Sequence, residues 1–160
     1  MGVFTYEYEV STTIPPAKMF KACILDGQNL IPKVVPDQAF ESVEFIKGNG
    51  EPGTVKKITF AEGSQFGYMV EEVEALDKDE LVYRYSVIEG GALMNKVEKI
   101  GYESKFESSP DGGSVCKIRC KYHTIGDFEI TEEGSKAGKE KAMEILKAVE
   151  AYLLANPQHY

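Results

Sequence analysis

The sequence predicts an α+β fold in which a curved antiparallel sheet wraps around a long carboxy-terminal helix. Residues 3 to 10 alternate apolar and polar side chains, six further strand-like runs follow between residues 40 and 124 across short turn signals, and the last segment switches to a helical period. The only large layer able to bury the apolar stripe of that helix is the concave face of the sheet. A quarter of the 160 residues are Leu, Ile, Val or Phe, enough to fill a core, so the chain is read as one domain spanning 1–160.

In the first strand Phe4, Tyr6, Tyr8 and Val10 share one side and Thr5, Glu7 and Glu9 the other. Thr12 or Thr13 is expected to cap a short helix whose first turn tolerates Pro15 and Pro16 and which carries Met19, Phe20, Cys23 and Ile24 as far as Asp26-Gly27. A second short helix should run from Gln28 to about Val34, interrupted by Pro32. The later strands are separated by Gly48 to Gly53, Glu62-Gly63-Ser64, Asp77-Lys78-Asp79, Glu89-Gly90-Gly91 and Pro110 to Gly113, hairpin signals that make a meander. At 100° per residue Ala142, Ile145, Leu146, Val149, Tyr152 and Leu153 fall on one arc of a helix from about 131 to 155. Glu140, Glu144, Lys147 and Ala151 lie opposite, and the helix stops before Pro157.

Composition narrows the function. Lys plus Arg number 18 against 26 Asp plus Glu, a net charge of −8 that disfavours nucleic acid, whose binding needs cations at the phosphates. No apolar run approaches the roughly 20 residues of a membrane span, and the amino terminus lacks the pattern of a signal peptide. Tyr6 stands where a myristoylation signal wants Ser or Thr, and no Asn-x-Ser/Thr acceptor occurs. Cys23, Cys116 and Cys120 form no CxxC pair and their odd number closes no disulfide framework. The expectation is a cytoplasmic protein without membrane attachment.

Strand parity carries the functional argument, because alternate side chains share a face. The inward rows read Phe66, Tyr68 and Val70; Leu81, Tyr83, Tyr85 and Val87; and Cys116, Ile118, Cys120 and Tyr122. Two rows begin with an ionisable residue: Lys56, Ile58, Phe60, and Glu98, Ile100, Tyr102, Ser104, Phe106. Either each charge sits at a strand end and reaches water, with a bulge near Gly101 able to turn Glu98 outward, or sheet and helix enclose a cavity that needs polar anchors. The inward tyrosines Tyr68, Tyr83, Tyr85 and Tyr102 favour the cavity, since each buried phenol needs a partner. The stretch Gly48-Asn49-Gly50-Glu51-Pro52-Gly53-Thr54 is not a nucleotide loop, because it opens a strand where a phosphate loop opens a helix. His123 and His159 are the only histidines, Cys116 and Cys120 share a strand face with no second ligand cluster, and nothing resembles a Ser-His-Asp or Cys-His arrangement with enough specificity to use, so no metal or cofactor is expected.

Four segments together carry a resemblance. They are Gly48-Asn49-Gly50-Glu51-Pro52-Gly53-Thr54-Val55-Lys56-Lys57-Ile58, Tyr83-Arg84-Tyr85-Ser86-Val87-Ile88-Glu89-Gly90-Gly91, Tyr122-His123-Thr124-Ile125-Gly126-Asp127 and Tyr152-Leu153-Leu154-Ala155-Asn156. In combination they closely resemble the plant pathogenesis-related class 10 family, which includes the major birch-pollen allergen, and the likeness covers the whole chain. The resemblance implies a helix-grip fold: seven antiparallel strands gripping the long helix, with two short helices closing one end of a hydrophobic cavity. It also implies a cytosolic, monomeric protein of defence and stress that binds flavonoids, cytokinins, other plant hormones or fatty acids. Such a ligand would meet Lys56, Ile58, Phe60 and Phe66, then Tyr68, Tyr83 and Tyr85, then Glu98, Ile100 and Tyr102. Asn29 and Leu30 from the second short helix and Met143 and Leu146 from the long one complete the expected lining.

Some relatives are described as ribonucleases, and the corresponding site would be Lys56, Glu98, Glu150 and Tyr152. That alternative ranks below binding: the chain is acidic, and Glu150 lies roughly 100° from the centre of the helix's apolar stripe. Glu51 replaces a usual glycine of the loop and Ile125 a usual lysine, departures that weaken phosphate binding and alter the cavity's rim. The Ser-Gly-Leu-Pro-Ala gate of abscisic-acid receptors is absent. The lysine, acid and tyrosine set of the alkaloid-condensing synthases is not placed. The resulting expectation is a non-enzymatic carrier of a small amphiphile.

Overall fold

The computed structural model describes residues 2–35, 40–60 and 67–160. Strand β1 (Val3–Thr12) leads into helix α1 (Pro16–Phe20), a π-helical turn (Lys21–Leu25) and helix α2 (Gly27–Val34). Strands β2 (Phe40–Lys47), β3 (Val55–Phe60), β4 (Tyr68–Asp77), β5 (Val82–Gly90), β6 (Val97–Ser108) and β7 (Ser114–Thr124) precede helix α3 (Glu132–Ala155). All seven strands form one antiparallel sheet in the order β1-β7-β6-β5-β4-β3-β2. Among the described residues no helix is long and apolar enough to cross a membrane.

Local chemistry accounts for most boundaries. Thr131 caps α3 by accepting the Gly134 N–H at 3.0 Å, and Glu132 and Glu133 place negative charge in the first turn, where the helix dipole favours it. Helix α1 departs from the expected start: Pro15 is its N-cap and Pro16 its first residue, so no side chain caps it. Thr12 belongs instead to β1, where its Oγ1 accepts the Ile14 N–H at 3.1 Å. Gly90 has φ +124°, and a Cβ there would collide with the Tyr68 carbonyl oxygen, so only glycine lets β5 pass β4 at that point.

The core sits between the concave face and the carboxy-terminal half of α3. Leu146, Val149 and Leu153 are buried there together with Met19 and Phe20 of α1, Val10, Val73, Ile100 and Cys116. The Phe20 ring meets Phe106 edge-on at 5.8 Å. On the convex face Arg119 bonds Glu7 at 2.8 Å and lies 3.8 Å from Glu103, but these exposed pairs contribute little to stability.

Candidate functional site

The inner face is read from the register, since paired residues point to the same side. One row crosses six strands: Lys56 opposite Glu71, Glu71 opposite Val87, Val87 opposite Ile100, Ile100 opposite Tyr122, and Tyr122 opposite Phe4. A neighbouring row runs through Val73, Tyr85, Tyr102, Cys120 and Tyr6. Tyr85 and Tyr102 stack with centroids 5.1 Å apart, and Tyr83 leans on Tyr85 at 5.3 Å. The rows thus form an aromatic wall with one acid and one base at its β3–β4 side.

Two bulges alter the expected parity. On β5, Ile88 is left without a partner between Glu89, opposite Val70, and Val87, opposite Glu71. The inner row of β4 is therefore Met69, Glu71 and Val73, and Tyr68 lies on the other side with Lys57 and Glu89. Its hydroxyl donates to Glu89 at 2.9 Å, and the Lys57 ammonium stands 4.8 Å from its ring centre. On β6 the register skips Glu98 between Val97 and Lys99, so Val97 is buried and Glu98 is exposed. The bulge falls on Glu98 itself and not near Gly101, and it removes Glu98 from the inner face.

The acid that the sequence argument missed is Glu71. It is 7% exposed, and burial pushes its carboxyl up to about 7, with Lys56 pulling in the other direction. The Lys56 ammonium donates to the Tyr83 hydroxyl at 3.3 Å. Among the described residues no hydrogen bond or ion pair reaches the Glu71 carboxyl. Burial, with the negative charge of Glu71 adding to it, holds the Tyr83 and Tyr85 phenols well above their ordinary range. Tyr102 is raised mainly by burial. Yet Tyr85 and Tyr102 both keep accessible surface, as does Gly138 on the side of α3 that faces the Tyr122 hydroxyl.

The other expected lining residues divide. Ile58, Phe60, Tyr83, Ile100, Leu30 and Leu146 are buried, and Lys141 of α3 holds its ammonium 5.7 Å from the Phe60 ring centre. Met143 is 37% exposed. Asn29 is a surface residue whose amide donates to Asp26 at 2.8 Å, closing the start of α2. Phe66 and the Glu62-Gly63-Ser64 turn lie outside the described residues.

The four residues of the ribonuclease alternative are not brought together. Lys56 faces the aromatic wall, while Glu98 is exposed on its bulge. Glu150 accepts the Thr13 N–H at 3.0 Å and lies 3.7 Å from Lys147, tying α3 to the end of β1. Tyr152 points to α2, where its hydroxyl meets Lys33 at 3.4 Å, and the same hydroxyl meets Nδ1 of His159, beyond the end of α3, at 2.7 Å. A catalytic acid and base must reach the same reacting atoms, and this set has no such point.

The glycine-rich loop between β2 and β3 is closed by its own side chains. The Glu51 carboxylate accepts the Asn49 N–H at 2.9 Å, Thr54 Oγ1 accepts the Gly50 N–H at 2.9 Å, and Thr54 is fully buried. Bonds from the Glu51 and Asn49 backbone amides hold the Glu51 carboxyl below its usual range. The carboxylate thus stands where an external anion would seek amides. No group of three or more His, Cys, Asp or Glu suited to a metal ion occurs among the described residues.

Comparison with known proteins agrees with this architecture. The profile of the pathogenesis-related protein Bet v 1 family matches residues 1–156. The major strawberry allergen Fra a 1.05 of Fragaria ananassa is 58% identical over 160 residues, covering 100% of this chain and 99% of the relative. The crystal structure of Ara h 8.0201 superposes with a TM-score of 0.85 at 40% identity, covering 96% of this chain and 99% of that one. Norcoclaurine synthase from Thalictrum flavum, in complex with dopamine and hydroxybenzaldehyde, shares the fold with a TM-score of 0.73 at 22% identity, over 96% of this chain and 88% of that one.

Proposed function

The chain belongs to the pathogenesis-related protein Bet v 1 family, and on that premise we propose that it is a non-enzymatic carrier holding a small planar amphiphile between the sheet and α3. One observation carries the reading: Tyr85 and Tyr102, deep enough for burial to raise their phenols strongly, still keep accessible surface. In a filled core stacked rings of that depth would have none. The inner side of α3 supports the same reading. Leu146, Val149 and Leu153 fill its carboxy-terminal half, but the corresponding positions of the preceding turns are Ser135, Gly138 and Ala142, which put little side-chain volume against the wall. A hollow under those turns would offer a ligand aromatic faces, with Lys56 and Glu71 for its polar edge.

Flavonoids, cytokinins, other plant hormones and fatty acids fit this combination of apolar area and few polar anchors. Apolar burial contributes about 25 cal/mol per Å² before the costs of association, which points to dissociation constants on the order of micromolar and to broad selectivity. The carrier is proposed as a cytosolic monomer acting in plant defence or stress. The free, buried thiols of Cys23, Cys116 and Cys120 suit a reducing compartment. Fluorescence or calorimetric titration with a flavonoid, a cytokinin and a hydrophobic dye should give saturable binding of at least one. Failure of all three rejects the proposal.

A further inference from the structure

Glu71 is an oddity among buried charges. It is enclosed on the inner face, has an ammonium as its cross-strand neighbour, and makes no hydrogen bond or ion pair among the described residues. Lys56 instead gives its bond to the Tyr83 hydroxyl. A buried carboxyl left in this way has unmet capacity for hydrogen bonding, and it can meet a partner in either of two forms. As a carboxylic acid it donates; as a carboxylate it accepts. Resting on the carrier reading above, we propose that Glu71 is a proton-switched anchor for the polar edge of the ligand. It binds an acceptor-bearing aromatic, such as an aryl carboxylate, as the protonated donor, and a donor-bearing aromatic, such as an arylmethyl ammonium, as the ionised acceptor.

The charge balance follows from the two forms. When an acceptor enters, the site takes up a proton from solvent onto the fraction of Glu71 that is ionised. When a cationic nitrogen enters, the fraction that is protonated gives its proton to the buffer. Other charged and titratable groups face Glu71 from the elements packed against it. Lys56 on β3 lies beside it, Tyr83 and Tyr85 on β5 and Tyr102 on β6 are phenols raised far from neutrality, and α3 brings Lys141 to the Phe60 end of β3. The carboxyl itself titrates near pH 7, so both forms are accessible around neutrality. A single hollow thereby accepts edges of opposite polarity with the same aromatic faces, a selectivity mechanism that a fixed donor or acceptor would not allow.

Three probes on one ring frame separate the possibilities: 2-naphthoate, 2-(aminomethyl)naphthalene and 2-methylnaphthalene. Calorimetry at pH 6 and pH 8, in buffers of small and large ionisation enthalpy, reads affinity and protons exchanged together. With a midpoint near 7, 2-naphthoate should weaken about tenfold from pH 6 to pH 8, taking up protons as it binds. The amine should tighten about tenfold and release protons, and 2-methylnaphthalene should stay constant. Glu71→Gln, a neutral side chain of nearly the same shape, should abolish both slopes. If 2-methylnaphthalene binds but the two charged probes show no slope, or keep their slopes in Glu71→Gln, the anchor is rejected and the carrier reading stands. If none of the three binds saturably, the carrier reading fails and the anchor fails with it.

Discussion

Replacing Glu71 by Gln should make the protein more stable at high pH and leave it almost unchanged at low pH. The carboxyl has an ordinary value of 4.5 when the chain is unfolded and about 7 when folded, so between those values the folded state holds more protons than the unfolded one. Stability then falls as pH rises through that window, the opposite of a salt-bridged acid. Applied to one site, these two values give a cost to the native state of about 3 kcal/mol at pH 8 and under about 1 kcal/mol at pH 5. Glutamine carries no such term, and whatever its buried amide costs is independent of pH. The difference in unfolding free energy between variant and wild type should therefore grow by about 2.5 kcal/mol from pH 5 to pH 8. Urea unfolding of both proteins at four pH values measures it, and taking the difference cancels the contribution of titrating groups that do not interact with Glu71. Parallel pH profiles would show that Glu71 is not held in the environment argued for it.

Lys56→Met keeps most of the stem's volume and should leave the fold intact; because Lys56 now pulls the Glu71 carboxyl down, its NMR titration midpoint should move above the present value of about 7. Gly90→Ala should cost about 2 kcal/mol or more in chemical denaturation, from φ +124° and the collision with the Tyr68 carbonyl, and an unchanged midpoint would contradict that strand crossing. The thiols are held above their ordinary range by burial, Cys116 at about 12 and Cys120 at about 11, with Cys23 higher still. Alkylation at pH 8 should accordingly be slow on the folded chain and add three labels once it is denatured without reductant; a single label would reveal a disulfide.

Much of the fold was legible because the relevant signals are periodic. The alternation of Phe4, Tyr6, Tyr8 and Val10 and of Cys116, Ile118, Cys120 and Tyr122 placed both strands correctly, and the stripe from Ala142 to Leu153 placed α3. What failed were interruptions of the period. Nothing in the composition around Glu98 or Ile88 announces an extra residue, yet each flips the faces that follow. For β4 the expected inward row of Phe66, Tyr68 and Val70 follows the apolar residues, whereas the row that faces inward is Met69, Glu71 and Val73, with an acid in the middle. Charge alone could not have corrected this, since either parity of β4 carries an acid, Glu71 in one row and Glu72 in the other; only the register, which sets Lys56 directly opposite Glu71, decides between them. Glu150 and Tyr152 were beyond reach for another reason, since their partners Thr13, Lys33 and His159 are set by where the short helices and the carboxy-terminal tail come to rest.

The Glu51 carboxylate in the glycine-rich loop has a consequence best expressed as a competition. Any phosphate approaching the Asn49 amide must displace a rival tied to the same loop only two residues away. A tether that short gives the rival an effective concentration of about millimolar or more, and it is never diluted. Free phosphate at comparable concentration, holding exposed amides weakly, gains nothing by the exchange. The loop should therefore keep one shape whatever anions surround it, with the Asn49 and Gly50 amide resonances unmoved by phosphate, and present to any neighbouring molecule a fixed, negatively charged outline.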